Sequence, residues 1–186
     1  MSLFPQGAWN GIRKVDFDHY THIIEHKKEF HARAIMEQDQ TYKQIIPYLV
    51  FTYNNKYFVM QRKDTSSEQR LKNKLTLGIG GHIRKEDMAN SSLFDWARRE
   101  FHEEVSYRGN LHIKQLGVIN DDSNDVGKVH IGFAFLLQGE HSTIHIKSEL
   151  KSGQLWSLDE CLQNIDAFES WSAYIIQFLH DQARPF

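Results

Sequence analysis

The chain has 186 residues and carries nearly balanced charge, with a net charge of -2 at pH 7. This length suits one domain with an extension, and the balanced charge argues against a nucleic-acid-binding surface or a polybasic membrane anchor. A single cysteine, Cys161, excludes an internal disulfide framework and a cysteine-rich zinc site. The longest apolar runs, 45–53 and 131–137, are too short to cross a bilayer, and the N-terminus lacks a signal-peptide pattern. We therefore expect a cytoplasmic protein.

The first part of the chain is expected to form an N-terminal helical extension, residues 1–43, ahead of a domain that spans 44–186. Phe17, Tyr20 and Ile24 recur at helical spacing after Asp16 or Asp18, either of which could begin the helix. Nothing in this segment indicates chemistry. We expect it to pack on the domain or on a second copy of the chain in a homodimer.

The domain begins with a predicted β-hairpin. Residues 45–53 and 56–62 flank Asn54 and Asn55, a turn pair that tolerates positive φ. Pro47 predicts that the first strand starts at a sheet edge or a bulge, because proline cannot donate to a strand ladder. Residues 63–75 are polar and are expected to form a loop beside the site, and 77–79 are expected to form a short strand.

A glycine-rich stretch follows, Gly78-Ile79-Gly80-Gly81-His82, which we call the glycine turn. Glycines at this density allow positive φ and allow another group to approach the backbone closely. The next segment is predicted to be helical because its apolar residues recur at helical spacing, with Ser91 or Ser92 as the N-cap. The residues of that apolar stripe are Leu93, Ala97, Phe101 and Val105.

Three carboxylates, which we call the carboxylate cluster, stand at i, i+3 and i+4 near the end of this helix: Glu100, Glu103 and Glu104. Like charges at this spacing cost about 0.2–0.5 kcal/mol per pair, and the helix dipole disfavours anions in the last turns. A divalent cation would compensate for this crowding, because hard ions such as Mg²⁺ prefer carboxylate oxygens. The alternative is a solvated acidic face in which Arg99 pairs with Glu103.

The rest of the chain continues as alternating strands and helices. A strand is predicted over 111–119, an acidic loop that could overhang the substrate over 120–125, and a strand buried on both faces over 128–138. His130 on that strand is expected to be a hydrogen-bonded, half-buried histidine. A short strand at 144–146 is also expected, and Ser157 and Asp166 are predicted to cap the last two helices. This order indicates a mixed α/β fold.

Gly81 followed by Arg99-Glu100-Phe101-His102-Glu103-Glu104 resembles the Nudix box of the Nudix hydrolases, G-x5-E-x7-R-E-U-x-E-E-x-G-U. Three departures are visible. The interval from Gly81 to Arg99 is four residues longer than in the pattern, Ser91 stands where the early Glu is expected, and Ser106 replaces the late Gly. Glu86 or Asp87 could supply the early carboxylate from the longer loop. The resemblance implies an α/β/α sandwich with a mixed sheet.

The resemblance also implies a Mg²⁺ site, with Mn²⁺ as the alternative ion, and metal-assisted hydrolysis of a diphosphate linkage. Glu103, Glu104 and Arg99 are the candidate catalytic residues, with Arg99 orienting a carboxylate. The general base is left open, with Glu104 or Glu103 first and four outside candidates: Asp121, Asp122, Glu149 and Glu160. Arg62 and Arg70 are candidates for binding substrate phosphate. The candidate metal ligands are Glu100, Glu103, Glu104 and Gly81.

Three functions are therefore compatible with the sequence. The first is a hydrolase of a nucleoside diphosphate derivative or a related small phosphoanhydride, without nucleic-acid or membrane partners. The second is a catalytically weak or inactive Nudix-fold module that binds or senses a nucleotide. A third, isomerisation of a prenyl diphosphate, is disfavoured because Cys161 lies far downstream of the box.

Overall fold

The computed structural model describes residues 3–4, 7–62, 73–88, 93–147 and 150–183. The helices are α1 (Phe17–Lys27), α2 (Arg33–Met36), α3 (Leu93–Glu104), α4 (Asp125–Lys128), α5 (Leu158–Gln163) and α6 (Ser170–Ala183), with 3₁₀ turns at Lys85–Met88 and Ile165–Ala167. The strands are β1 (Gly11–Arg13), β2 (Gln44–Tyr53), β3 (Lys56–Arg62), β4 (Leu75–Thr76), β5 (Gly78–Gly80), β6 (Val105–Ser106), β7 (Leu111–Asn120), β8 (His130–Gly139), β9 (His145–Ile146) and β10 (Leu150–Ser157).

The central sheet is mixed. Its main path runs β1-β7-β8-β2-β3-β10, while β4 adds to β3 and β5 adds to β2. The long central pair, β2 and β8, is parallel, and the other pairs of this sheet are antiparallel. β6 and β9 form a small separate sheet directly after α3. The mixed α/β prediction is therefore confirmed.

The hairpin between β2 and β3 turns at Asn54 and Asn55, as predicted, with φ of 46° and 58°. The prediction that Pro47 places the start of this strand at a sheet edge is confirmed, because among the described strands residues 44–47 of β2 pair only with β8, where Pro47 lies opposite Phe133. The ladder to β5 on the other side begins only at Tyr48. The missing N–H of proline therefore leaves no gap in that ladder.

One face of the sheet packs against α3 and α1. Leu49 and Phe51 of β2 belong to this face, where they join one apolar cluster with Trp96, Ala97 and Phe101 of α3. Phe51 and Phe101 lie in a stacked arrangement with ring centroids 6.4 Å apart. This packing fixes α3 against the sheet and therefore fixes the carboxylates at its end.

The opposite face packs against α5 and α6 through Val50, Cys161, Ile175 and Ile176, which are almost completely buried. Alternate residues of β2 thus serve the two layers, as strand geometry requires. The result is the expected α/β/α sandwich. Within the described residues, none of the helices is long and apolar enough to cross a membrane.

The N-terminal segment joins the same core as α3. Phe17 packs between Phe133 and Phe135, with ring centroids 6.0 and 5.8 Å apart respectively. Ahead of α1, β1 pairs with β7, and the Asn120 side chain donates to the Trp9 carbonyl at 2.7 Å. Asp16 is the N-cap of α1, which confirms the first of the two predicted starts, Asp16 or Asp18. The division of the chain into 1–43 and 44–186 stays a prediction.

The last two helices begin differently. Ser157 caps α5 in a reciprocal capping box with Glu160, which confirms that prediction. The prediction that Asp166 caps the last helix is wrong, because Asp166 lies in a 3₁₀ turn and α6 starts at Ser170. The chain is extended between them, where the Glu169 N–H donates to the Leu75 carbonyl at 3.0 Å.

Candidate active site

The glycine turn leads from β5 towards the end of α3. A side chain on Gly81 would collide with the carboxylate of Glu100, and one on Gly78 would collide with the ring of Tyr48. The glycines of the turn do not have positive φ, which among the described glycines occurs at Gly7 and Gly11. The turn therefore does not use the positive φ that its glycines allow. Close approach of other groups is what requires glycine here.

The carboxylate cluster lies in the last two turns of α3, which ends at Glu104. Glu100 is only 7% exposed, whereas the Glu103 side chain is 45% exposed. The Arg99 guanidinium contacts both carboxylates, with one nitrogen 2.8 Å from Glu100 Oε1 and the other 2.8 Å from Glu103 Oε1. Arg84 lies near the second oxygen of Glu103, at 3.9 Å. One guanidinium therefore holds two of the three carboxylates beside the glycine turn.

Burial raises the pKa of the Glu100 carboxyl above its ordinary value, and the neighbouring Arg99 offsets part of this effect. The nearby Glu103 carboxylate acts in the same direction as burial, because like charges disfavour a second ionisation. A cation that binds between these groups would favour the ionised form of Glu100. An added positive charge would therefore stabilise the ionised carboxylates of this site.

The donor set fits a hard divalent cation. All three side chains of the carboxylate cluster offer oxygen ligands, and the bare backbone of Gly81 leaves space against the Glu100 carboxylate that a side chain would fill. Within the described residues, no three histidine, cysteine or acidic side chains already converge as a ready-made ligand set. Because Arg99 spans Glu100 and Glu103, its guanidinium would have to share these carboxylates with an ion.

Several other predicted residues are occupied elsewhere or lie outside the described residues. Asp121 is fully buried and accepts hydrogen bonds from Ser123 and Asn124, while Asp122 pairs with Lys43 at 2.6 Å. Glu160 caps α5, on the opposite face of the sheet from α3. Arg62 ends β3, but its side chain is not described. The predicted residues that lie outside the described part are Arg70, Ser91, Ser92 and Glu149, together with the side chain of Asp87.

A histidine pair next to the glycine turn was not predicted. His82 Nε2 and His130 Nε2 are 3.1 Å apart, and His130 Nδ1 lies 2.7 Å from the Val126 carbonyl. Because a carbonyl only accepts, His130 Nδ1 carries a proton, which leaves its Nε2 atom for the contact with His82. Burial, with smaller effects of Arg33 and His130, lowers the pKa of His82 to about 4. The prediction that His130 is hydrogen-bonded is confirmed. Its pairing with His82 was not predicted, because the two histidines are 48 residues apart in the sequence.

A cavity of about 540 Å³, which we call the N-terminal cavity, lies between the N-terminal segment and the α3 face of the sheet. Its floor is apolar and includes Ile24, Trp96 and Phe133, and its wall next to the glycine turn is formed by His82 and Ile83. Trp96 stands one helical turn before Glu100 on the same side of α3. The cavity therefore lies beside the carboxylate cluster. The sequence does not indicate this cavity, because its opposite wall comes from a segment without any chemical motif.

The architecture and the turn that leads into the carboxylate-bearing helix define a Nudix-type fold. No protein-family model matches the chain. The protein YmaB of Bacillus subtilis (strain 168) is 35% identical to it in an alignment of 156 positions that covers 79% of this chain and 76% of YmaB. Among solved structures, that of Tm1382, a putative Nudix hydrolase, has a TM-score of 0.80 and 28% identity and covers 95% of this chain and 92% of its own.

More distant structures share the fold. The Nudix domain of Shewanella oneidensis NrtR, solved with ADP-ribose, has a TM-score of 0.61 at 14% identity and covers 88% of this chain and 97% of its own. A bifunctional NMN adenylyltransferase/ADP-ribose pyrophosphatase from Francisella tularensis, solved with AMP and a manganese ion, has a TM-score of 0.56 at 16% identity, over 89% of this chain and 47% of that protein. The chain belongs to the Nudix hydrolase family, and YmaB is one of its relatives.

Proposed function

We propose that the chain is a divalent-metal-dependent hydrolase that cleaves the diphosphate linkage of a nucleoside diphosphate derivative. The observation that carries this proposal is the contact between the bare Gly81 backbone and the buried Glu100 carboxylate, with Glu103 tied to Glu100 through Arg99. Arg99 offsets part of the repulsion between Glu100 and Glu103, while Glu104 adds a third carboxylate in a turn where the helix dipole disfavours anions. We further propose that the protein acts in the cytoplasm, on a small molecule, as a monomer or a homodimer.

The proposed ligands are the carboxylates of Glu100, Glu103 and Glu104, with the Gly81 backbone beside them. Mg²⁺ or Mn²⁺ at this position would neutralise the diphosphate and lower the pKa of a bound water. Arg99 acts as a positioning residue because it holds Glu100 and Glu103 in fixed directions. Glu103 and Glu104 are the proposed general bases, since Glu103 is exposed enough to reach a water, whereas Glu100 is buried. Arg62 and Arg70 remain proposed contacts for substrate phosphate.

The test is hydrolysis of a panel of nucleoside di- and triphosphates, sugar nucleotides and dinucleoside polyphosphates in the presence of Mg²⁺. Glu103→Gln and Glu104→Gln keep the side-chain shape and remove the charge, so we expect turnover to fall by about 10²–10⁴-fold without loss of folding. Glu25→Gln, on the exposed side of α1, is the matched control and should keep normal turnover. Excess EDTA should abolish activity, and added Mn²⁺ should restore it.

Two results would contradict the proposal. Full activity in excess EDTA would exclude the metal, and near-normal turnover in both Glu variants would remove them from the mechanism. If calorimetry shows that members of the panel bind tightly while none yields product, the chain is a nucleotide-sensing module instead. Calorimetric titration with Mn²⁺ provides a readout that does not depend on activity, because Glu103→Gln and Glu104→Gln should weaken ion binding even if no substrate is found.

A further inference from the structure

We propose that the N-terminal cavity binds the nucleoside of the substrate, with its base between the apolar floor and the aromatic wall. This inference rests on the proposed function, which supplies both the nucleoside and the diphosphate of the substrate. The cavity volume of about 540 Å³ is within the range of small-molecule sites. Residues of the N-terminal segment form one side of it, which gives that segment a role that its sequence did not indicate.

Two connections place the cavity beside the proposed diphosphate position. Trp96, on the cavity floor, precedes Glu100 by one turn of α3, which is about 6 Å along the helix axis. His82, in the cavity wall, directly follows Gly81, whose backbone meets the Glu100 carboxylate. A group attached to a diphosphate at the carboxylate cluster could therefore enter the cavity without crossing the sheet.

The walls offer aromatic rings to a planar ligand. Phe30 and Tyr42 line the cavity and remain 41% and 38% exposed. The Tyr42 ring is fixed because its hydroxyl donates to Glu29 at 3.0 Å and the His31 ring lies 5.2 Å away. A positioned, exposed ring is a suitable stacking surface for a base, because every base has a π-face.

An amide in the wall lacks a partner. Gln44 lines the cavity, its Nε2 atom is buried, and within the described residues this atom has no hydrogen-bond partner. A buried donor without a partner is destabilising, so such groups are rare unless a ligand or water satisfies them. The ring nitrogens and carbonyl oxygens of a base would provide the missing acceptor.

Other occupants fit less well. A prenyl chain would match the apolar floor but would leave the Gln44 amide unsatisfied. A second phosphate could contact Lys27 and Lys28 in the cavity wall, since among the described lysines that line it only Lys43 is held by a carboxylate, but it would leave the apolar floor and the exposed rings uncovered. The combination of flat rings, an apolar floor and one amide is thus typical of a site for a nucleobase.

Calorimetric titration of the full chain with AMP, UMP and ribose 5-phosphate, in EDTA and again with Mg²⁺, tests this inference. At least one nucleotide should bind, and about tenfold more tightly than ribose 5-phosphate, because only the nucleotides carry a base to stack. Gln44→Leu and Phe30→Ala should each weaken nucleotide binding by about five- to tenfold. Ile35→Ala is the matched control, because Ile35 is 62% exposed and does not line the cavity.

The outcomes separate this inference from the hydrolase proposal. Equal affinity for ribose 5-phosphate and the nucleotides, or no nucleotide binding at all, would overturn the cavity assignment. It would also be overturned if the panel substrates were hydrolysed with unchanged KM in Gln44→Leu and Phe30→Ala, although the hydrolase proposal would stand. Nucleotide binding could depend on the base and be weakened by both variants while no substrate is turned over. That result would support the cavity assignment and contradict the hydrolase proposal. Gln44→Leu should fold normally, because an unpaired amide is replaced by an apolar group of similar size.

Discussion

The contact between Gly81 and Glu100 can be tested without any substrate. In Gly81→Ala the new methyl carbon would lie 2.5 Å from Glu100 Cδ and 2.8 Å from its Oε1, so the carboxylate must move. The backbone itself accepts alanine, since the φ of Gly81 is not in the left-handed region. Forcing one extra methyl group into a packed site costs about 1–3 kcal/mol. With a urea m-value of about 2 kcal/mol/M, the unfolding midpoint should fall by about 0.5–1.5 M.

A double-mutant cycle isolates this contact. Glu100→Ala removes the carboxylate, so a methyl group at position 81 meets no obstacle in the double variant. The changes in the free energy of unfolding caused by Gly81→Ala and Glu100→Ala should therefore not be additive. The double variant should be about 1–2 kcal/mol more stable than the sum of the two single changes predicts. Gly81→Ala combined with Glu25→Ala is the control, because Glu25 lies on the exposed side of α1 and should give additive effects. Additivity in the Glu100 cycle would refute the geometry on which the metal site depends.

Two further predictions concern stability. Tyr48→Phe should lower the free energy of unfolding by about 1.5–3 kcal/mol, because the Tyr48 hydroxyl donates to the buried Glu169 carboxylate at 2.7 Å. Tyr57→Phe is the control and should change this free energy little, since no hydrogen bond of Tyr57 is found within the described residues. Equal effects of the two variants in urea unfolding would contradict this role of Tyr48. Phe17→Ala should lower the free energy of unfolding by about 3–5 kcal/mol, because Phe17 packs between two core rings. Phe30→Ala is the control and should change this free energy little, because Phe30 is exposed. A soluble Phe17→Ala variant of normal stability would contradict the packing of α1 on the core.

Local patterns predicted much of this fold. The Asn54-Asn55 hairpin and the cap at Ser157 both depend on residues within a few positions of each other. Predictions failed where a distant partner decides the outcome. The last helix, α6, begins later than predicted because the Glu169 N–H donates to the carbonyl of Leu75, a residue far earlier in the chain.

The candidate site divides in the same way. Helical spacing alone brought Glu100, Glu103 and Glu104 together, and the box motif linked them with Gly81. The reason for glycine at position 81 required the position of the Glu100 carboxylate, which only packing of α3 on the sheet defines. The pairing of His82 with His130 and the unpaired amide of Gln44 likewise depend on long-range contacts that no spacing encodes.

The contact between Trp9 and Asn120 has a consequence for synthesis of the protein. These residues are 111 positions apart, so at about 5–20 residues per second the N-terminal segment leaves the ribosome about 6–20 s before its partner exists. During that interval the apolar side of α1 has no sheet to cover it, and non-local pairing of this kind slows folding. The N-terminal segment is therefore synthesised first but can pack on the core only after the later strands have been made. We expect translation speed or chaperones to affect the yield of folded protein.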